Sequence, residues 1–188
     1  MTDQPSGTPR GDSGPELASV VLGGTVDVPD FPKPGIVFKD LMPLFADGAA
    51  FRRVVDGIVE HYGPGGFDVV AGVEARGFVV AAAVAYATGA GVVPVRKAGK
   101  LPRKALAATY ELEYGEATLE VHEDAFIAGQ RVLVVDDVLA TGGTAGAALD
   151  LVERAGGTVI GFTVLMELGF LKGRERLSPR TVHALLTV

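Results

Sequence analysis

Residues 131–146, with the sequence RVLVVDDVLATGGTAG, constrain the fold of this chain more than any other segment. The segment has four consecutive valine or leucine residues, two adjacent acids, a loop with two glycines and an alanine-rich run. Such an uncharged run is typical of a strand covered on both faces of a parallel sheet. Because loops after such strands form ligand crevices, we expect a ligand site directly after Asp136 and Asp137.

The loop that follows the two acids has the composition of a phosphate site. Gly142 and Gly143 let backbone amides approach an anion, Thr141 and Thr144 add hydroxyl donors, and the next helix adds the positive end of its dipole. Carboxylates a few residues before a phosphate site suit the vicinal hydroxyls of a ribose. We therefore predict a sugar-phosphate site here. The alternative is a strand end followed by an ordinary glycine turn.

Two common nucleotide-binding patterns are absent from the sequence. It contains neither the Gly-x-x-x-x-Gly-Lys-Ser/Thr loop of nucleotide triphosphatases nor the Gly-x-Gly-x-x-Gly pattern of dinucleotide sites. The ligand is therefore expected to belong to a different class of phosphorylated compound.

Composition limits the other function classes. Lys and Arg number 17 against 23 Asp and Glu, a net charge of −6, which disfavours a nucleic-acid partner. The chain has no cysteine, so disulfides and a thiol nucleophile are excluded. Its three histidines, at 61, 122 and 183, are far apart, so we predict no direct metal site. These features are compatible with a cytoplasmic location.

The 188 residues, 48% of them hydrophobic, suffice for one core. We expect a disordered tail over residues 1–15, which are rich in Gly, Pro and Ser, and a single domain over 16–188. Residues 78–95 carry no charge. Because Gly89, Gly91 and Pro94 interrupt them, we interpret this stretch as a helix, a turn and a buried strand, and we expect no membrane partner.

Alternating strand and helix patterns predict an α/β fold, with a parallel sheet flanked by helices on both faces. Residues 17–22 resemble the end of a short helix and 26–40 an irregular segment. Apolar and polar residues alternate on both sides of Gly115, which predicts an inserted β-hairpin. The predicted helices span about 47–61, 77–88 and 143–155; the predicted strands span 68–71, 92–95, 108–114, 117–122, 131–135 and 158–166.

The acid pair and its loop resemble the phosphoribosyl-pyrophosphate (PRPP) motif of the type I phosphoribosyltransferases. Other segments resemble the adenine-specific branch of that family over about 17–177: PDFPKPGIVFKD at 29–40, EARGF at 74–78, VRKAGKLP at 95–102, YELEYG at 110–115 and LKGRERL at 171–177. This resemblance implies that family's fold, with a small N-terminal hood over about 16–42 and a hairpin flap over about 100–122. It also implies that Asp136 and Asp137 hold the ribose and that residues from Ala140 to Thr144 hold its 5′-phosphate.

PRPP also carries a pyrophosphate, which requires a second anion site. Arg76 and the amide of Gly77 follow a predicted strand near a helix N-terminus, and the donor fork of an arginine suits pyrophosphate oxygens. The alternative for Arg76 is a surface ion pair with Glu74. The resemblance assigns Arg96, Lys97 and Lys100 to pyrophosphate binding. It also implies that Arg96 reaches the site of a neighbouring subunit, and thus a homodimer.

The resemblance further implies that Glu113 and Tyr114 belong to the catalytic flap. Glu113 would hold or exchange a proton on the imidazole ring of a purine; the alternative is a carboxylate that faces solvent. Mg²⁺ would arrive with PRPP and neutralise its pyrophosphate. For the base, Val37 and Lys39 offer main-chain groups and Phe38 offers a ring for stacking; the alternative is a proline-rich connector with one core phenylalanine.

Together these expectations describe a purine salvage enzyme that converts adenine and PRPP to AMP and pyrophosphate, with Arg76, Glu113, Asp136 and Asp137 as its catalytic residues. One alternative is the same chemistry on xanthine, hypoxanthine or guanine. Another is a non-enzymatic regulator that senses PRPP.

Overall fold

A central sheet organises the part of the chain that the computed structural model describes, residues 11–111 and 115–188. The elements in chain order are α1 (Pro15–Gly23), β1 (Val26–Pro29), β2 (Val37–Asp40), α2 (Met42–Ala46), α3 (Gly48–Tyr62), β3 (Val69–Val73), α4 (Arg76–Thr88), β4 (Gly91–Lys97), β5 (Ala105–Glu111), β6 (Glu116–His122), β7 (Arg131–Leu139), α5 (Gly143–Arg154), β8 (Thr158–Glu167), a 3-10 turn (Gly169–Leu171), α6 (Gly173–Arg176) and β9 (Val182–Thr187).

The large sheet has seven strands in the order β5-β6-β4-β3-β7-β8-β9. Five adjacent strands, β4, β3, β7, β8 and β9, are mutually parallel. Strand β6 is antiparallel to both of its neighbours, β4 and β5. The predicted α/β class and the inserted hairpin are therefore confirmed. The hairpin extends the sheet at one edge, beside β4.

Strand β7 lies near the middle of this sheet, and its side chains alternate between two cores. Val132 and Val134 pack in a cluster with residues of α5, whereas Leu133 and Val135 pack in a cluster with residues of α3 and α4. All four are fully buried. Helices thus cover both faces, as the uncharged run predicts.

Residues 26–40 are more regular than the sequence indicates. They form an antiparallel two-stranded ribbon, β1 with β2, in which Val28 pairs with Phe38. The turn between them is closed by a hydrogen bond from the amide of Gly35 to Asp30 Oδ1, at 2.7 Å. The prediction of an irregular segment was wrong because the proline-rich turn conceals two strands of only four residues each.

Most of the predicted helices and strands agree with the structure within a few residues. Asp47 caps α3 because its Oδ1 accepts from the amides of Ala49 and Ala50 at 2.9 and 3.1 Å. Residues 78–95 form most of α4 and β4, and no described helix has the length and apolar character needed to cross a bilayer. The sequence did not predict β9, α2 or the short helical turns.

Residues 11–14 differ from the predicted tail because they pair with β9. The amide of Asp12 donates to the carbonyl of Ala184 at 2.8 Å, and the amide of Ala184 donates to Asp12 Oδ2 at 2.9 Å. Arg174 Nη2 donates to the same Oδ2 at 3.0 Å and to Glu167 Oε2 at 2.6 Å. Arg174 therefore ties the N-terminal segment to the end of β8.

His183 of β9 is buried beneath the same segment. Its ring stacks on that of His61 at 3.6 Å between centroids, and its Nε2 lies 2.6 Å from Ser13 Oγ. Burial, aided by the charges of His61 and Arg174 and opposed by that of Asp12, lowers the pKa of His183 to about 4. His183 is therefore neutral in the folded protein at pH values where a free histidine is protonated.

We expect Arg174→Ala to lower the free energy of unfolding by roughly 2–3 kcal/mol, because it leaves a buried carboxylate, Glu167, without its cation. The expected loss is below that of a fully buried pair because the Arg174 side chain is 39% exposed. Arg180→Ala is the control, since its partner Glu153 is exposed, and it should cost about 1 kcal/mol or less. Urea denaturation measures both; equal losses would contradict the prediction.

Acid should destabilise the protein through His183. Between pH 6.5 and about 4 the unfolded chain binds a proton that the folded chain excludes, so the free energy of unfolding falls as the pH falls. In His183→Gln this part of the pH dependence should disappear. His122→Gln is the control: His122 lies in the hairpin, so this variant should keep the pH dependence of the wild type. Urea denaturation at pH 7 and pH 4.5 measures the difference. An unchanged pH dependence in His183→Gln would contradict the assignment.

Candidate active site at the carboxyl ends of three parallel strands

Three loops meet at one edge of the sheet because β4, β3 and β7 are parallel neighbours. They begin at Glu74 after β3, at Ala98 after β4 and at Ala140 after β7. A hydrogen bond from the amide of Glu74 to the carbonyl of Val95, at 2.9 Å, fixes the first loop against the second. The residues predicted to bind anions therefore come together at this edge.

The loop after β7 encloses a small cavity of about 80 Å³. Its volume suits a group of a few atoms, and its lining contains the whole predicted phosphate loop together with one of the two acids: Asp136, Val138, Leu139, Ala140, Thr141, Gly142, Gly143, Thr144 and Ala145. The predicted loop thus forms a pocket of suitable size for a phosphate.

Two glycines give this loop its shape. Gly142 has a φ of +85°, and a Cβ there would lie 2.7 Å from the carbonyl oxygen of Gly173. A Cβ at Gly143 would lie 3.1 Å from the carbonyl oxygen of Glu111. Helix α5 begins at Gly143, and no side chain in the described ranges caps it. Its first amides therefore remain for another acceptor, as an anion site requires.

Asp136 and Asp137 are buried inside β7 rather than placed after it, because the strand continues to Leu139. The amide of Asp137 donates to Asp136 Oδ1 at 2.9 Å. Burial raises the pKa of Asp136 well above its usual range, and the charge of Asp137 raises it further. The pair therefore brings two carboxyl groups, of which Asp136 favours its protonated form, to the edge of the phosphate loop.

Arg76 contacts both the acid pair and the N-terminal ribbon. Its Nε lies 2.9 Å from Asp137 Oδ2, and its guanidinium carbon lies 5.7 Å from the centre of the Phe38 ring. The alternative pair with Glu74 is not what forms. A Cβ at Gly77 would lie 2.8 Å from the carbonyl oxygen of Val135, so this position must be glycine for α4 to begin so close to β7.

The ribbon brings the predicted base-binding residues to the same edge. Phe38 is half-buried and packs edge-on against Phe31, with 5.2 Å between ring centres. Lys39 Nζ is 2.7 Å from Asp27 Oδ1, and Val37 is exposed. The ammonium group of Lys39 is therefore engaged within the ribbon.

Glu74 holds the predicted pyrophosphate loop. It accepts from Lys100 Nζ at 2.5 Å, from Arg96 Nε at 3.1 Å and from the amide of Lys97 at 3.0 Å. The hydrogen bond from Lys100, aided by those from Lys97 and Arg96, lowers its pKa to about 2. Glu74 was predicted only as an alternative partner of Arg76; the basic residues at the end of β4 and just after it, Arg96 and Lys100, were the signal for this cluster.

The hairpin lies beside the phosphate loop. Arg154 Nη1 of α5 donates to the carbonyl of Ala107 in β5 at 2.9 Å. The predicted flap residues Glu113 and Tyr114 lie outside the described residues. Arg176, which was not among the predicted site residues, has its Nη1 3.9 Å from a Cβ built at Gly143, so it adds a cation near the loop.

A larger cavity, of about 510 Å³, lies away from these loops, between α1 and α3. Its lining contains three carboxylates, Glu16, Asp56 and Glu60, and one arginine, Arg53, that pairs with Glu16. This excess of negative charge is unfavourable for a phosphorylated ligand. The small cavity at the sheet edge is therefore the candidate site.

Comparison with known proteins agrees with this geometry. Residues 46–183 match the phosphoribosyl transferase domain model. The chain is 74% identical, over the full length of both proteins, to the adenine phosphoribosyltransferase of Salinispora arenicola. It is 54% identical to that of Streptomyces coelicolor over 176 residues, which cover 92% of this chain and 97% of the relative.

Solved structures have the same architecture. The adenine phosphoribosyltransferase of Thermoanaerobacter pseudethanolicus matches with a TM-score of 0.87 and 45% identity, over 92% of this chain and 99% of that one. The Saccharomyces cerevisiae enzyme, complexed with an imino-altritol bisphosphate and adenine, matches with a TM-score of 0.85 and 40% identity, over 91% and 99%. With its PRPP-type loop between β7 and α5, this chain therefore belongs to the phosphoribosyltransferase family.

Proposed function

We propose that this protein is a purine salvage enzyme that transfers the 5-phosphoribosyl group of PRPP to adenine, giving AMP and pyrophosphate. One observation carries the proposal: Arg76 lies against Asp137 on one side and Phe38 on the other. A single side chain thus joins the acid pair of the sugar-phosphate site to the predicted base site. The relatives named adenine phosphoribosyltransferase support the choice of base.

In this proposal the ribose 5-phosphate lies along the end of β7. The amides and hydroxyls of residues 140–144 bind the phosphate, and Asp136 and Asp137 bind the ribose hydroxyls. Supporting this assignment, the cavity lined by the loop is small and α5 begins at its wall. The positive end of a helix dipole stabilises an anion at that position.

The pyrophosphate lies over the loops after β3 and β4. Arg76, the amide of Gly77, Lys97 and Lys100 bind it, and Arg96 reaches the site of a second subunit in a homodimer. As pyrophosphate leaves ribose C1, negative charge grows on it and positive charge grows on the sugar. Cations fixed around the leaving group stabilise that charge separation more strongly than they stabilise the reactants.

A magnesium ion would enter with PRPP and be bound through that ligand rather than directly by side chains. No three Asp, Glu or His side chains in residues 11–111 and 115–188 form a complete metal cage. Mg²⁺ commonly keeps several waters and takes substrate phosphates as ligands, so it would be bound here through PRPP itself, whose ribose Asp136 and Asp137 hold. When bound, the ion supplies charge neutralisation at the pyrophosphate.

At the base, the ring of Phe38 stacks on the purine while main-chain groups of Val37 and Lys39 distinguish the adenine amino group from a carbonyl. Glu113, with Tyr114 beside it in the flap, holds or exchanges a proton on the imidazole ring as the other ring nitrogen attacks C1. Closure of the flap excludes water, which would otherwise hydrolyse the activated sugar.

Residues 16–188 act as a single domain, with a hood over about 16–42 and a flap over about 100–122, and a cytoplasmic location is part of the proposal.

The first test is a base panel. Purified protein with PRPP and Mg²⁺ should form AMP and pyrophosphate from adenine and no nucleotide from hypoxanthine, guanine, xanthine or orotate, as measured by chromatography. Product from another purine would contradict the assignment of residues 37–39 to adenine but would leave the assignment of the PRPP site unchanged. If PRPP binds but no base gives a product, the alternative of a non-enzymatic regulator that senses PRPP would be favoured.

The second test concerns the flap acid. Glu113→Gln should lower kcat by about 100-fold, because a positioned proton donor or acceptor contributes roughly 10²–10⁴-fold. Glu111→Gln is the matched control, since it removes the same charge two residues away in the same hairpin, and it should keep kcat within about threefold. Steady-state rates with adenine and PRPP measure both. Equal effects of the two variants would contradict the role of Glu113.

A further inference from the structure

Glu74 has an unusual position for a carboxylate in a site for a polyanion. Its side chain is 8% exposed, whereas its two cationic partners, Arg96 and Lys100, are 32% and 47% exposed. The carboxylate therefore lies underneath, with its cations reaching toward solvent. Lys100 is assigned to the pyrophosphate of this subunit, and Arg96 to the pyrophosphate site of a second subunit.

The remainder of the loop is held independently of these ion pairs. The amide of Ala98 donates to the carbonyl of Thr118 at 3.0 Å, and the amide of Gly99 donates to Glu120 Oε2 at 3.0 Å. The Lys97 amide donates to Glu74, and a neutral glutamine oxygen can accept that bond as well. The negative charge of Glu74 is therefore not needed to keep the loop folded.

We propose that Glu74 is a positioning residue that competes with pyrophosphate for Lys100 and Arg96, and so weakens the hold of the enzyme on its own product. This inference rests on the proposed function. Without ligand, the carboxylate keeps both cations together over the loop. With pyrophosphate bound, the same carboxylate repels the ligand and attracts its cations, so both effects favour release.

The sign of this effect follows from charge. Glu74 is ionised throughout the range in which the enzyme works, because Lys100 in particular holds its pKa at about 2. A fixed anion a few ångströms from the cations of a polyanion site lowers affinity for that polyanion, and the effect is strong where side chains are covered from water. A neutral side chain of the same shape therefore raises the affinity.

The test is Glu74→Gln, studied by calorimetry with pyrophosphate and Mg²⁺ and by steady-state kinetics. We expect pyrophosphate to bind about tenfold more tightly, equivalent to about 1.4 kcal/mol. The KM for PRPP should fall, and kcat should fall with it as product release slows. A second neutral variant, Glu74→Ser, tests the same charge with a smaller side chain.

Two further variants separate competition from a general effect of charge. Glu120→Gln removes the same charge from the other carboxylate that holds this loop, and pyrophosphate affinity should stay within about twofold of the wild type. In a Lys100→Ala background the effect of Glu74→Gln should shrink, because the main cation for which Glu74 and pyrophosphate compete is gone.

The outcomes are distinct. If the wild-type protein forms AMP but Glu74→Gln binds pyrophosphate no more tightly than the wild type, the competition by Glu74 is overturned and the proposed function stands. Equal tightening in Glu120→Gln, or an undiminished effect in the Lys100→Ala background, would overturn it as well. Wild-type protein that neither binds pyrophosphate nor forms AMP would overturn the proposed function itself.

Discussion

The close approach of α4 to β7 is the constraint on which the candidate site depends. At Gly77 a Cβ would lie 2.8 Å from the carbonyl oxygen of Val135 and 3.0 Å from Asp136 Oδ1, so any side chain would force the two elements apart. Only with this separation does Arg76, the first residue of α4, come within 2.9 Å of Asp137. A missing Cβ thus sets the distance between the loop that follows β3 and the acid pair.

The same arginine positions the N-terminal ribbon. Phe38 lies in β2, far from β7 in the sequence, yet its ring lies 5.7 Å from the guanidinium carbon of Arg76. Cation–π contacts of this length contribute roughly 0.5–1 kcal/mol where solvent is near, so the contact orients the ribbon more than it stabilises the fold. Packing of α1 and α2 in the core beneath supplies the larger contribution, since Val21 and Leu44 are fully buried. The proposed base site therefore depends on the packing of α1 and α2 as well as on Arg76.

Local sequence patterns predicted the features of this architecture that depend on a few consecutive residues. The uncharged run before Asp136 predicted a central strand, which is confirmed, and the glycines and threonines after it predicted a phosphate loop, because burial and backbone access are properties of a few consecutive residues. The partners of Arg76 and Glu74 could not be predicted in this way, because they depend on which strands are neighbours in the sheet. The short strands β1 and β2 were missed for a related reason: four residues carry too little periodicity, and their pairing is tertiary. Glu113 was reached through resemblance alone.

Charge balance explains how a chain with a net charge of −6 can serve a polyanion. Long-range attraction is unfavourable, so affinity must come from cations concentrated at one edge of the sheet. There, the charges are largely countered: Arg76 by Asp137, and Arg96 and Lys100 together by Glu74. Such pairing keeps long cationic side chains ordered, which reduces the entropy lost on binding, but it also reduces the net attraction for the ligand. An enzyme that must release pyrophosphate after every turnover benefits from both consequences, because a site of bare cations would bind product as strongly as substrate and gain little in rate from doing so.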